Sequence, residues 1–361
     1  MRLNWIIDWP ISLISLLLLS IGILVIYSSS EELAFQQLFF MIIGVIIFSF
    51  ITRFDYRILK NFTLPLYLLI LIILAIVGIL GIETRGAVRW IPLGIFNIQP
   101  SEFAKPILIL FLSGFWANNL PNWRSILVSF LWILPVVLLV FKQPDLGSAI
   151  TLVSIWLGLL LVSGISIRKI AILALIIIFI TPVSWFFLQD YQRQRIVGFL
   201  TPGIDPLGRG YNLIQSTIAV GSGQFFGRGL GRGTQSRLQF LPEFRTDFIF
   251  ASISEEMGFV GGMLIIILYF FLLSYCLKLS EKISDKFGFF IIFATVSMLG
   301  FQVFVNIGMN LGLLPITGIT LPLISYGGSS LVSTLVCFGL VASVVKGVKR
   351  IDLAGSELSR D

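Results

Sequence analysis

The sequence predicts an all-α polytopic membrane protein, with about ten transmembrane helices in a single domain that covers residues 1–361. Of its 361 residues, 57% are hydrophobic and only 12% are charged, and the mean hydropathy is +1.00. A soluble domain carries about 25% charged residues, so the composition indicates a membrane protein. The one long polar interval, residues 189–254, is predicted to form a large extracytoplasmic loop between the seventh and eighth helices.

The apolar segments are long enough to cross a bilayer, which requires about 20 mainly apolar residues. The first of them resembles a signal peptide, but Asp8 and Trp9 precede it and no small-residue cleavage site follows, so we expect a retained helix. In chain order the candidates cover approximately residues 9–28, 34–52, 62–82, 100–118, 125–142, 147–164, 168–188, 255–276, 287–310 and 329–348.

The stretch before the last helix cannot form one regular helix. Residues 314–330 are apolar but contain two Pro and three Gly. Irregular backbone at membrane depth is tolerated where it is buried in protein or lines a wet cavity. We therefore predict a re-entrant segment before the tenth helix.

Lys and Arg in the short loops predict the orientation, because cytoplasmic loops carry an excess of both. The basic clusters 53–60, 278–286 and 346–350 fall on one side when both termini are cytoplasmic. This topology places residues 189–254 outside. Arg85 and Arg89 lie in a short outer loop against this tendency, and we interpret them as ligand or partner contacts.

The residue inventory limits the chemistry. The chain has no His and only two Cys, and Cys276 and Cys337 fall in or beside predicted helices. His-based catalysis and His-ligated zinc or haem are therefore excluded, and no disulfide framework or metal site is indicated. A catalytic base must be a carboxylate, Lys or Tyr.

The long loop is rich in Arg and contains no Lys. A basic surface of this kind could contact anionic lipid head groups. Alternatively, it could bind phosphate, because the planar guanidinium can donate two hydrogen bonds to phosphate oxygens at once. Its glycine-rich part, residues 221–233, is a weak phosphate signal and is equally consistent with a turn-rich loop. The loop arginines are Arg193, Arg195, Arg209, Arg228, Arg232, Arg237 and Arg245.

Asp247 stands at the end of this loop, before an apolar segment. A helix beginning there would place Asp247, Ala251, Ser254, Gly258 and Gly261 on one small or polar face. The carboxylate could then stabilise the helix dipole by about 0.3–1 kcal/mol, or it could act as a catalytic base. Residue types alone leave both interpretations open.

Three further ionisable residues lie at the ends of predicted helices. Glu102 and Lys105 are separated by three positions, so they could pair as a structural ion pair or form the polar wall of a substrate cavity. Asp145 precedes a helix and could either cap it or face the same cavity.

An ordered set of motifs resembles the shape, elongation, division and sporulation (SEDS) family of bacterial cell-wall proteins. Residues 233–243 (GTQSRLQFLPE) and 314–318 (LPITG) resemble its elongation branch more than its division branch. One departure is Arg245, where many relatives carry His. The motifs are residues 85–94 (RGAVRWIPLG), 99–105 (QPSEFAK), 143–149 (QPDLGSA), 191–196 (YQRQRI), 205–211 (DPLGRGY), 241–250 (LPEFRTDFIF) and 324–330 (ISYGGSS).

The resemblance implies a ten-helix peptidoglycan glycosyltransferase that polymerises lipid II into β-1,4 glycan strands at the outer face of the cytoplasmic membrane. It implies that Asp247 is the essential acid and that Glu102, Lys105 and Asp145 belong to the polar cavity. The implied partners are a class B penicillin-binding protein and other elongation-complex proteins, with no nucleic acid. Arginines or a divalent cation, Mg²⁺ or Mn²⁺, could stabilise the departing diphosphate, and no other cofactor is predicted.

Two other functions remain open from the sequence. A lipid II flippase would also have many spans, intramembrane charge and a broken helix, but it should concentrate charge near the membrane midplane. Most of the charge here lies on the predicted outer face. The other alternative is a non-catalytic scaffold for the penicillin-binding protein.

Overall fold

The computed structural model describes residues 9–80, 82–84, 87–92 and 97–358, without the side chains of residues 79, 80, 82–84, 87, 88, 184 and 348–358. Helices dominate this part of the chain. They are α1 (Trp9–Ser29), α2 (Glu31–Ile51), α3 (Tyr56–Leu59), α4 (Thr63–Leu80), α5 (Pro100–Asn118), α6 (Trp123–Lys142), α7 (Leu146–Val162), α8 (Ile167–Ser184), α9 (Asp190–Leu200), α10 (Tyr211–Ser222), α11 (Thr234–Arg237), α12 (Ile249–Ser280), α13 (Lys286–Asn310) and α14 (Gly328–Leu358).

Each of the ten predicted segments coincides with a helix, and the predicted helical membrane fold is confirmed. Within the described residues, seven helical segments are both long and apolar enough to cross a membrane. They correspond to α1, α2, α3 with α4, α6, α12, α13 and α14, while α7 is a shorter apolar helix. The number of crossings stays a prediction.

A small antiparallel sheet between α4 and α5 was not predicted from the sequence. Its strands are β1 (Ile82–Thr84), β2 (Ala87–Pro92) and β3 (Asn97–Ile98), in the order β1-β2-β3. The register pairs Ile82 with Trp90 and Ile91 with Ile98. β-Branched and aromatic residues favour such pairing, but strands this short lack the long apolar run that identifies a transmembrane helix.

Polar side chains define where several helices begin. The side chains of Ser30, Asp55, Asn122, Asp145 and Asp285 accept hydrogen bonds from the first turns of α2, α3, α6, α7 and α13. Each satisfies a backbone N–H that has no partner within the helix. In the bundle, α13 packs against α5, α7 and α12, and α14 packs along α2.

Helix α12 is broken at Gly258, whose φ of 67° and ψ of −163° are not helical. The predicted continuous face from Asp247 to Gly261 is therefore wrong, because the helix begins only at Ile249 and the break changes the orientation of everything beyond it. Asp247 lies in the turn before the helix. The error arises because a heptad-like spacing does not reveal where a helix begins or breaks.

The glycine-rich loop inserts into this break and completes its hydrogen bonds. The carbonyl of Glu255 accepts from Arg228 N at 3.0 Å, and Phe259 N donates to the carbonyl of Gln224 at 2.9 Å. In an unbroken helix, Phe259 N–H would bond to the carbonyl of Glu255. The described contacts of this loop thus serve backbone packing, which requires the close approach that glycine permits.

The chain between α13 and α14 is irregular, as the sequence predicted. It has no helical residues from 312 to 327, yet Leu321, Leu323 and Ile324 within it are buried. Its position relative to the bilayer stays a prediction.

The 189–254 interval is not an extended linker, because it contains the helices α9, α10 and α11.

Candidate active site

A cavity of about 300 Å³ brings three parts of the 189–254 interval together with one residue from the irregular segment after α13. The cavity lies where α9 and the start of α10 approach the turn before α12, and about half of its lining residues are polar or charged. The residues are Tyr191, Gln194, Arg195, Gly198, Phe199, Gly208, Arg209, Asn212, Leu213, Glu243, Asp247, Phe248 and Ile316.

Asp247 lies on the wall of this cavity, and its main chain is firmly held. Its carbonyl oxygen accepts hydrogen bonds from Nδ2 of Asn306 at 2.9 Å and from Nδ2 of Asn310 at 3.0 Å. Both asparagines are on α13 and are fully buried. The position of the predicted acid is therefore set by a neighbouring helix and not by α12 alone.

Removal from water raises the pKa of the Asp247 carboxyl to about 6, and the negative charge of Glu243 contributes to the increase. The positive charges of Arg195 and Arg89 act in the opposite direction. Burial and a like charge both disfavour the ionised form. A carboxyl with this pKa is mostly ionised at neutral pH and remains basic enough to accept a proton.

Two of the predicted arginines share the cavity with Asp247. Arg195 donates from Nη1 to the carbonyl of Ile316 at 3.4 Å, and its guanidinium lies 5.6 Å from the centroid of the Tyr191 ring. Arg209 is exposed at the start of α10 and lines the same cavity. These are the described arginines that could bind an anion next to the acid.

Asp145 makes the capping contact that the sequence offered as one alternative, and it does not line the cavity that contains Asp247, so its cavity role stays a prediction. It caps α7 by accepting from Ser148 N at 3.1 Å, and its other oxygen accepts from Gln99 Nε2 at 2.7 Å. Nη1 of Arg89 lies 3.8 Å from Oδ1 of Asp145. Both charges also act on the pKa of Asp247, so this pair belongs to the electrostatic surroundings of the cavity.

Arg193 does not line the cavity. Its guanidinium donates to the carbonyls of Trp185 and Phe186, each at 3.2 Å, and lies 3.6 Å from the carboxylate of Asp190. These contacts attach the start of α9 to the turn that follows α8. Arg85 lies outside the residues that the structure describes.

Arg228 and Arg245 also contact other parts of the protein. Arg228 is exposed and donates to Thr234 Oγ1 at 3.3 Å. Arg245 donates from Nε to Ser29 Oγ at 2.9 Å and lies over the ring of Phe244, with 4.5 Å to the ring centroid. A substrate-binding role for either stays a prediction, and neither lines the cavity with Asp247.

Glu102 and Lys105 form the predicted ion pair, with Lys105 Nζ 2.7 Å from both carboxylate oxygens. Both side chains are buried, and Ser333 of α14 donates to Glu102 at 3.3 Å. The pair therefore lies between α5 and α14 and is not in the lining of the cavity that contains Asp247. Its contacts fit the structural alternative, and a role in substrate binding stays a prediction.

Sequence reasoning missed Glu243, Asn306 and Asn310. The two asparagines are separated by four positions within an apolar helix, and polar residues at such positions are a recognisable signal. Glu243 lies in the same motif as Asp247, four positions before it. Among the described residues, no group of three or more His, Cys, Asp or Glu side chains is arranged to hold a metal ion.

The family follows from comparison with known sequences. A family model described as "Cell cycle protein", which is named for FtsW, RodA and SpoVE, matches residues 8–350. The chain belongs to this family, the SEDS family. The family predicted from the motifs is therefore confirmed over nearly the whole chain.

The relatives of this SEDS chain include cell-wall and sporulation proteins. It is 39% identical over 343 residues to peptidoglycan glycosyltransferase MrdB of Escherichia coli (strain K12), covering 93% of each chain. It is 38% identical over 358 residues to stage V sporulation protein E of Bacillus subtilis (strain 168), covering 93% of this chain and 96% of the relative.

Solved structures show the same SEDS fold. A chain from a peptidoglycan synthase complex that coordinates polymerisation and crosslinking matches with a TM-score of 0.82 and 33% identity, covering 95% of this chain and 99% of that one. The rod shape determining protein RodA of Thermus thermophilus matches with a TM-score of 0.73 and 28% identity, covering 95% and 98%.

Proposed function

We propose that this chain is a peptidoglycan glycosyltransferase that polymerises lipid II into β-1,4 glycan strands during cell elongation, with Asp247 as the general base. The observation that carries the proposal is the position of Asp247. Its carboxylate, with a pKa of about 6, lies in one cavity with Arg195 and Arg209. The names of the relatives supply the reaction class.

The reaction is an inverting displacement. The 4-hydroxyl oxygen of the acceptor sugar forms a bond to the anomeric carbon of the donor, and the bond from that carbon to undecaprenyl diphosphate breaks. The hydroxyl proton passes to the carboxylate of Asp247, and the diphosphate leaves with the bonding electron pair. One displacement converts the α-linked donor into a β-linked product, so a second catalytic carboxylate is not needed.

The arginines of the cavity would bind the diphosphate. Arg195 and Arg209 can each direct two N–H groups at phosphate oxygens, and such charge-assisted pairs are about twice as strong as neutral hydrogen bonds. Developing negative charge on the leaving group is then stabilised where it forms. Diphosphate is already a good leaving group, so no acid is required there.

A divalent cation, Mg²⁺ or Mn²⁺, would fit the same cavity. Mg²⁺ is commonly held by one or two carboxylates together with substrate phosphates, and Glu243 supplies a carboxylate to the lining beside Asp247. The ion would add positive charge at the diphosphate. Polymerisation that falls after EDTA treatment and returns on adding Mg²⁺ or Mn²⁺ would support this role, whereas full activity in EDTA would contradict it.

We propose that the protein resides in the bacterial cytoplasmic membrane with both termini inside and the cavity facing outward. The basic short loops support this orientation. A class B penicillin-binding protein is the proposed partner, because the matching chain with a TM-score of 0.82 comes from a complex that coordinates polymerisation with crosslinking.

The test is polymerisation of labelled lipid II by the purified chain with its transpeptidase partner. A positioned general base contributes about 10²–10⁴-fold, so Asp247→Asn and Asp247→Ala should lower turnover by at least about 100-fold. Asp190→Asn is the matched control, because this loop aspartate is 91% exposed and is paired only with Arg193 in the described structure. Turnover near the parent rate in both Asp247 variants would refute the base assignment.

The flippase alternative has its own readout. Vesicles containing the protein would be loaded with fluorescent lipid II, and movement between leaflets would be measured together with polymer formation. Polymerisation without rapid movement agrees with the proposal. Movement without polymerisation would favour a transporter, and neither activity beside stable partner binding would favour a scaffold.

A further inference from the structure

Three consecutive carbonyl groups that end at Asp247 are each bound from outside their own segment. The carbonyl of Arg245 accepts from Tyr326 N at 2.8 Å. The carbonyl of Thr246 accepts from Ser325 Oγ at 2.6 Å. With the asparagine bonds to the carbonyl of Asp247, this turn is held by α13 on one side and by the irregular segment on the other.

The two asparagines do more than contact the Asp247 carbonyl. Asn306 also donates to the carbonyl of Ile319 at 2.7 Å, which ties the irregular segment to the same point. Asn310 accepts from Ala251 N at 3.0 Å through Oδ1. Their amide groups also contact each other, with Asn310 Nδ2 donating to Asn306 Oδ1 at 3.4 Å.

Asn310 thereby caps the first turn of α12 from a neighbouring helix. The first N–H groups of a helix lack partners within it, and the cap residue of α12, Phe248, makes no side-chain hydrogen bond. Asn310 satisfies Ala251 from a different helix. In the described structure, no side chain or backbone N–H donates a hydrogen bond to the carboxylate of Asp247, so its oxygens remain free to accept a proton.

We propose that Asn306 and Asn310 are positioning residues, which fix the main chain of Asp247 and cap α12 so that the carboxylate stays available as the base. The inference rests on the proposed function. A base must lie within hydrogen-bond reach of the acceptor hydroxyl, and a misplacement of 1 Å can cost about 100-fold in rate. Neither asparagine lines the cavity, so neither is expected to contact substrate.

The first variant is Asn306→Leu, which removes both N–H donors while nearly preserving side-chain size. We expect kcat for lipid II polymerisation to fall roughly 10- to 100-fold, whereas KM changes by less than about threefold because substrate contacts are untouched. The matched control is Gln302→Met. Gln302 is buried one turn earlier on α13 and makes no described hydrogen bond to Asp247, so its replacement should leave kcat within about twofold.

The second variant, Asn310→Asp, keeps an acceptor for Ala251 N–H but loses the N–H donors to Asp247. At pH 8, where an ionised aspartate cannot donate, we expect the same selective loss of kcat. Thermal denaturation and co-purification of the partner report whether each variant is folded. This second variant is informative even where Asn306→Leu fails to fold, because it preserves the cap.

Folded variants that retain kcat within about twofold of the parent would overturn the inference, and so would an equal loss in Gln302→Met. Asp247→Asn is assayed in parallel to separate two kinds of failure. An inactive Asp247→Asn beside fully active asparagine variants contradicts only the positioning role. An active Asp247→Asn contradicts the base assignment itself.

Discussion

The side chains of Arg195 and Asp247 both lie close to Gly318. A side-chain carbon at Gly318 would lie 3.5 Å from Nη1 of Arg195 and 3.6 Å from Oδ2 of Asp247. The guanidinium lowers the pKa of the carboxyl, yet the two groups form no direct salt bridge in the described part of the structure. Gly318 therefore keeps open the space between the base and one cation that would bind the diphosphate.

Gly318→Ala is expected to reduce polymerisation. Gly318 has a φ of +80°, which costs a residue with a side chain about 1–2 kcal/mol, and the added methyl group would occupy the space between Arg195 and Asp247. Turnover and thermal stability would be measured together. Gly203→Ala is the control, since a carbon there would meet nothing within 4 Å. Unchanged turnover in Gly318→Ala would show that substrate does not use this space.

Polymerisation should depend on pH in the way that a base with a pKa of about 6 requires. The pKa of the Asp247 carboxyl is raised from its ordinary value of 3.8 to about 6. Only the ionised form of this carboxyl can accept a proton. Turnover should therefore be constant near pH 8, fall through about pH 6, and decline about tenfold for each further unit. A rate that stays constant down to pH 4.5 would contradict this assignment.

Glu243→Gln should shift that acid limb to lower pH. The negative charge of Glu243 contributes to the raised pKa of Asp247, so its removal lowers the pKa and ionises the base at lower pH. The direction is the test, measured as the midpoint of the pH–rate profile. Glu31→Gln, an exposed change in the first turn of α2, should leave the midpoint unchanged. A midpoint that moves upward would contradict the electrostatic argument.

Arg195→Lys and Arg209→Lys should weaken use of the lipid-linked substrate. Lys keeps the charge but loses the two-pronged geometry, so we expect kcat/KM to fall about tenfold, which equals about 1.4 kcal/mol. Arg193→Lys and Arg228→Lys are controls from the same interval, because their guanidinium groups bond to other parts of the protein. Equal losses in all four variants would indicate a general effect of replacing loop arginines and not a diphosphate site.

Gly258→Ala should destabilise the junction between α12 and the glycine-rich loop. A side-chain carbon at Gly258 would lie 2.6 Å from the carbonyl oxygen of Phe225, and φ there is +67°. Backbone atoms must move to make room, so we expect the free energy of unfolding to fall by about 2 kcal/mol or more. We also expect faster proteolysis near Arg228. Gly221→Ala, where a carbon would meet nothing within 4 Å, is the control. Unaltered proteolysis would contradict the insertion of this loop.

The helical segments and the family could be read from the sequence because their signals are local. An apolar run of about 20 residues satisfies its backbone only as a helix when it crosses lipid, and all ten predicted segments coincide with helices. The motif around Asp247 likewise predicted the family and the candidate base. The same local patterns predicted Asp145 as a cap and Glu102 with Lys105 as an ion pair, and both contacts are present.

Only the tertiary structure decided which of these groups act together. Arg193 and Arg195 are only two positions apart, yet only Arg195 lines the cavity, because residues two positions apart on a helix point in different directions. The insertion of the glycine-rich loop into α12 and the bonds from Asn310 to Asp247 and Ala251 join segments that are far apart along the chain. Local periodicity carries no information on such pairings. The sequence therefore determined the apolar helical segments and, through its motifs, the candidate catalytic acid, whereas packing determined the position and the partners of that acid.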